Sequence, residues 1–157
     1  MTHPAPADAT LGTIQDALGV AARRAKDLSL HEELGQRVGY RLEGPYYSTL
    51  ARLGLGGPCT VSQLAEGLGL ELSTVSRRVK ALEERGLVAR TTDTDDRRVS
   101  HLGLTDAGHE LFEALSASWR QLLAEVLSDW SANDIDELAR LFSRFAHDLD
   151  SFAERQR

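Results

Sequence analysis

The chain has 157 residues, 41% of them hydrophobic and 27% charged, a balance that suits one folded domain with its own core and excludes a disordered tail. No apolar run reaches the roughly 18 residues that a membrane span needs, and Met1 to Thr10 has neither the basic start nor the apolar stretch of a secretion signal, so a cytoplasmic protein is expected. The single cysteine, Cys59, excludes an internal disulfide, and a formal charge of -6, taken as a sum, disfavours a polyanionic partner.

Residues 1–10, with Pro4 and Pro6, carry no periodicity and are expected to form a loose arm. Leu11, Ile14, Leu18, Ala21, Ala22, Ala25 and Leu28 recur at three and four, which predicts an amphipathic helix. A second helix is expected from Leu30 to about Val38, and Gly39 to Gly44 as a connection. Pro45 suits the first turn of a third helix bearing Tyr46, Tyr47, Leu50 and Leu53, which Gly54, Gly56, Gly57 and Pro58 are expected to end.

Thr60-Val-Ser-Gln63 has the spacing of a capping box, in which a hydroxyl and an amide satisfy each other's free backbone N–H groups. It predicts a short helix over Val61 to Leu68, ended at Gly69 by a backbone turn through positive φ. The next helix is expected over Ser73 to Arg85. Its apolar residues Leu72, Val75, Val79 and Leu82 share one face, so Thr74, Ser76, Arg77 and Lys80 project from the others. Gly86 closes it. Leu87 to Arg90 and Val99 to Leu104 then predict a hairpin with a charged tip, Thr91 to Arg98.

Thr105 can cap a long helix with Leu111, Phe112, Leu115, Trp119, Leu122, Leu123, Val126 and Leu127 on its apolar side, expected at about 25 residues and nearly 40 Å. Ser131 starts a last helix whose stripe of Ile135, Leu138, Leu141, Phe142, Phe145, Leu149 and Phe152 continues to the end of the chain. The expected class is mainly α with a small β-hairpin. The terminal stripes exceed what a small core can cover, and apolar surface of that extent marks an interface, here with a second copy.

The cations are not spread evenly. Arg77, Arg78 and Lys80 stand together without an acid, and Arg97-Arg98 follow in the hairpin tip. Two short helices joined by a tight turn, the second carrying hydroxyls and cations outward, suit the DNA major groove, which admits one helix whose first turns reach base edges. Ser73, Thr74, Ser76 and Arg77 would lie there. Arg77 could take a guanine by a two-pronged bond, Lys80 a phosphate, and Arg78 either DNA or an acid such as Glu71 or Glu83. Arg97 or Arg98 would reach the narrow, electronegative minor groove.

The stretch from Thr60 to Arg90, followed by Asp95-Asp-Arg-Arg98 and Leu102-Gly-Leu-Thr-Asp-Ala-Gly108, resembles the MarR family of transcriptional regulators. The resemblance implies a winged helix-turn-helix fold with N- and C-terminal dimerisation helices. Residues 1–157 would form one domain, with an arm at 1–10, pairing helices at 11–44 and 106–155, and a winged lobe at 45–105. It implies a homodimer on double-stranded DNA, with Arg98 entering the minor groove and Asp96 holding it. It further implies control by a small aromatic or phenolic ligand, for which Tyr40, Arg41, Tyr46, Tyr47 and Trp119 are the candidate lining. Glu71 and Leu72 depart from the Asp-Pro that commonly opens the family's recognition helix.

No cofactor is expected, and no catalysis. His3, His31, His101, His109 and His147 lack metal-ligand spacing, and no nucleophile motif or phosphate-cradling glycine loop is present. Asp93, Asp95 and Asp96 open like a calcium loop but are followed by Arg97 and lack the closing glutamate. Cys59 is expected to be buried or inert, since no cation neighbours it in sequence. The rival reading is a winged-helix module that binds another protein and holds DNA only weakly.

Overall fold

Seven α-helices and a two-stranded antiparallel sheet succeed one another in a computed structural model that describes residues 8–25, 28–41, 43–92 and 100–156. The helices are α1 (Asp8–Ala25), α2 (Leu28–Arg37), α3 (Gly44–Gly56), α4 (Val61–Leu68), α5 (Leu72–Glu84), α6 (Asp106–Val126) and α7 (Ala132–Arg155). Strands β1 (Val88–Thr92) and β2 (Ser100–Leu104) lie between α5 and α6. The chain forms two compact units, residues 1–118 and 119–157. It is mainly α with one small hairpin, as expected.

The core of the first unit explains why its elements are short and tightly joined. Leu50 and Leu53 of α3, Leu64 of α4, and Val75, Val79 and Leu82 of α5 are buried, together with Leu87, Val88 and Leu102 of the hairpin and Leu111 and Leu115 of α6. Each comes from the apolar side of its element, so the same three-and-four spacing that makes each helix amphipathic places it in one core. α3 packs on α4 and α5, and α4 on α5.

β1 pairs with β2 in the register Val88↔Leu104 to Thr92↔Ser100. The chain entering α4 adds a further rung to the far edge of β2: the Cys59 amide donates to the Leu102 carbonyl at 3.1 Å, and the Leu102 amide donates to the Cys59 carbonyl at 2.8 Å. The hairpin is thereby attached to the helix-turn-helix at its base.

Several boundaries differ from expectation. α1 begins at Asp8, inside the expected arm, and α2 begins at Leu28. α3 runs through Gly54 and Gly56 and stops at Gly57, whose φ of 71° is the conformation that ends it. Gly54 serves packing instead: a Cβ there would sit 2.6 Å from the Phe112 ring of α6, which lies directly on the α3 backbone. α6 has 21 residues, about 31 Å, because the turn at Leu127 to Trp130 intervenes before Ser131 caps α7.

In the second unit, α7 shows its apolar stripe to solvent. Leu141, Phe142, Phe145, Leu149 and Phe152 are all exposed, Phe142 at 56% and Phe152 at 54%. In the first unit, Leu11, Ile14 and Val20 of α1 are exposed as well. No helix among the described residues is long and apolar enough to cross a membrane.

Candidate nucleic-acid interface

α4, its turn and α5 are built from local signals. The Thr60 hydroxyl accepts from the Gln63 amide at 3.2 Å, and the Gln63 side chain accepts from the Thr60 amide at 2.9 Å, so the capping box is complete. Gly69 adopts φ 62°, ψ 37°. Its amide donates to the Glu66 carbonyl, and the Leu70 amide donates to the Ala65 carbonyl at 3.0 Å, which satisfies the carbonyls that α4 leaves open. α5 then starts at Leu72. Its N-cap, Glu71, has the extended backbone of a cap but makes no side-chain bond, as its departure from the family pattern implied.

The surroundings of α5 divide its residues into three faces. Val75, Val79 and Leu82 point into the core. Ser73, Arg77 and Lys80 are exposed on the opposite side, with Thr74 and Ser76 half-buried at its edges. Arg77 Nη2 lies 3.5 Å from the Thr74 hydroxyl, and Lys80 Nζ lies 3.9 Å from Glu84, both over exposed ground. Arg78 takes a third direction, towards α3. Its Nη1 donates to the Pro45 carbonyl at 3.2 Å and lies 3.5 Å from the Ser48 hydroxyl. Of the alternatives open for Arg78, no acid among the described residues takes it; a backbone carbonyl holds the guanidinium instead.

Two further contacts hold α5 by its flanks. The Arg85 guanidinium lies over the Tyr46 ring, 4.8 Å from its centre. Glu83 accepts from Arg90 Nε of β1 at 2.7 Å, which joins the helix to the first strand of the hairpin. Sequence reasoning missed both. The seven-residue spacing of Arg78 and Arg85, two turns on one face, was a legible signal; no spacing rule spans the turn between Glu83 and Arg90.

The hairpin tip, with Asp96, Arg97 and Arg98, lies outside the described residues, as does most of the expected arm. Tyr46 and Tyr47 are half-buried on the first turn of α3, Tyr47 edge-on to His31 of α2 with ring centres 5.1 Å apart. Tyr40 is half-buried and Arg41 exposed in the preceding connection, while Trp119 belongs to the second unit. Cys59 is buried, and burial pushes its thiol up, with the Arg52 guanidinium pulling it back in part. Among the described residues no group of three or more His, Cys, Asp or Glu side chains gathers as a metal site would require.

The MarR family model matches residues 42–100, from the connection before α3 to the start of β2. The chain is also 34% identical over 131 residues to the HTH-type transcriptional regulator YxaD of Bacillus subtilis, an alignment covering 83% of this chain and 89% of that protein. The chain belongs to the MarR family of transcriptional regulators. Among solved structures, this MarR-family chain is similar to a MarR family protein from Bacillus stearothermophilus at a TM-score of 0.79, with 25% identity over 93% of this chain and 99% of the other. It shares its fold with Streptococcus pneumoniae FabT, solved in complex with DNA, at a TM-score of 0.70 and 20% identity, covering 90% of this chain and 99% of that one. The family is one of transcriptional regulators and not of enzymes, and the stretch of this MarR-family chain that its model matches holds α3, α4, α5 and β1.

Proposed function

We propose that this chain is a sequence-specific DNA-binding regulator that represses transcription as a homodimer on a pseudo-palindromic operator. The observation that carries the reading is the outward face of α5, where Ser73, Arg77 and Lys80 stand exposed behind a capped α4 and a tight turn. α5 would lie in the major groove with its first turns against base edges, Arg77 on a guanine and Lys80 on phosphate. Arg97 or Arg98 of the hairpin would enter the minor groove, steadied by Asp96.

In this reading residues 45–105 form the DNA lobe, and residues 11–44 and 106–155 form the pairing helices. The exposed apolar faces of α1 and α7 support the pairing, since side chains such as Phe142 and Leu149 gain free energy when a second copy removes them from water. A two-fold dimer would present two α5 helices to successive major grooves, with half-sites about 10 bp apart. Repression would be steric, the dimer covering promoter DNA in the cytoplasm. A small aromatic acid could control it by favouring a spacing of the two helices that does not match the grooves.

The test is a mobility shift with DNA from upstream of the chain's own gene, at physiological salt with random competitor. Arg77→Ala and Arg98→Ala are each expected to lose affinity. If both bind as tightly as wild type, α5 and the hairpin are not the reading head. A stable complex with another protein, alongside sequence-blind DNA binding, would favour a winged-helix interaction module.

A further inference from the structure

Arg78 belongs by composition to the basic cluster of α5, yet its guanidinium is committed elsewhere. It donates to the Pro45 carbonyl, which also accepts from the hydroxyls of Ser48 at 3.0 Å and Thr49 at 3.1 Å. Thr49 is fully buried, so this carbonyl sits at the edge of the core, with the bonds from Ser48 and Arg78 reaching it from the solvent side. Seven residues further along the same face, Arg85 lies over Tyr46 of the same α3 turn. Two cations, two helical turns apart, thus grip consecutive residues at one end of α3. Two separated points fix the inclination of a rod where one would leave it free to pivot.

We propose that Arg78 and Arg85 are positioning residues that set the inclination of α5 against the first turn of α3, and that neither reads DNA. The proposal rests on the DNA-reading role of α5 given above. A helix tilted by a few degrees moves its outer side chains by about an ångström, enough to weaken hydrogen bonds whose geometry is directional. Loss of the grip therefore lowers affinity for the correct operator more than it lowers non-specific, phosphate-driven binding. The turn gripped by the two arginines also carries Tyr47, whose ring meets His31 of α2, so α5 is linked through one turn of α3 to a helix outside the winged lobe.

The experiment compares Arg78→Met, which keeps the apolar stem and removes the donor fork, with Tyr46→Leu on α3 and Arg77→Ala on the outward face. Operator and random-duplex affinities are measured over a series of salt concentrations well below each variant's unfolding temperature. Arg78→Met is expected to lower operator affinity about tenfold, the size of one charged hydrogen bond, and Tyr46→Leu about threefold, the size of an exposed cation–π contact, both with random-DNA affinity and salt slope unchanged. A lost phosphate contact would instead reduce the slope by about 0.9. That reduction in Arg78→Met, or unchanged operator affinity in both variants, overturns the proposal. Amide exchange without DNA separates this from failure of the functional reading. Faster exchange in α5 and at the α3 first turn in Arg78→Met supports the grip, and unchanged exchange overturns it, whether or not the wild type selects any duplex.

Discussion

Glu83 and Arg90 meet at 2.7 Å across the turn that ends α5, and their contact is a direct side-chain link between that helix and β1. Both side chains are partly exposed, so the pair contributes no more than about 1 kcal/mol to stability. Its larger effect is geometric, since it holds β1 against the last turn of α5 and so limits the directions in which the hairpin can lean.

For that pair, Glu83→Gln is expected to change the unfolding free energy by less than about 1 kcal/mol while quickening amide exchange in β1. A double-mutant cycle with Arg90→Met, read by both thermal unfolding and hydrogen exchange, checks this. A coupling well above that magnitude would mean that the pair holds the fold and not the lean of the wing.

Gly108 is where helix propensity and packing make opposite predictions. Alanine in a helix interior is worth about 1 kcal/mol over glycine. A Cβ at Gly108, however, would overlap the Leu87 carbonyl oxygen, a backbone atom that cannot swing away. Thr105 holds the two segments together there: its hydroxyl donates to the Gly86 carbonyl at 2.6 Å and accepts from the Gly108 amide at 3.0 Å. Overpacking costs typically about 1–3 kcal/mol, so Gly108→Ala is expected to destabilise in spite of propensity. Denaturant titration decides the sign.

The apolar stripe of α7 makes a prediction about assembly. Phe142→Asp together with Phe145→Asp is expected to shift the chain from dimer to monomer in sedimentation velocity and to abolish tight operator binding. The double variant should keep the helical content of the wild type by circular dichroism. If the double variant sediments as the wild type does, α7 is not the pairing surface.

Cys59 is expected to react slowly with iodoacetamide in the native protein and rapidly in urea, because its thiol is buried and burial holds it in the protonated form. The sign for stability follows. The folded thiol keeps its proton to higher pH than the unfolded one, so stability is whole below the ordinary thiol range. Above that range the unfolded chain ionises first, and stability falls as pH rises. Cys59→Ser should remove that alkaline decline.

Much of this was legible before any coordinates. The capping box at Thr60, the positive-φ glycine at 69, the caps at Thr105 and Ser131, and the buried stripe of Val75, Val79 and Leu82 all follow from spacings of three or four residues. Such spacings are set by the geometry of a single helix and its end, so the chain declares them locally. The outward placement of Arg77 and Lys80 follows by subtraction from that stripe.

What only the tertiary structure decided are the contacts made between elements. The grip of Arg78 on Pro45, the ring of Phe112 on Gly54, the bond from Arg90 to Glu83 and the extension of α3 past two glycines depend on the angle and separation at which packed elements meet. Those quantities emerge when many apolar side chains find one dense arrangement together, and no short window of sequence contains them. A long, flexible arginine can satisfy its charge in several directions from one backbone position, so its role waited on which neighbour the packing brought within reach.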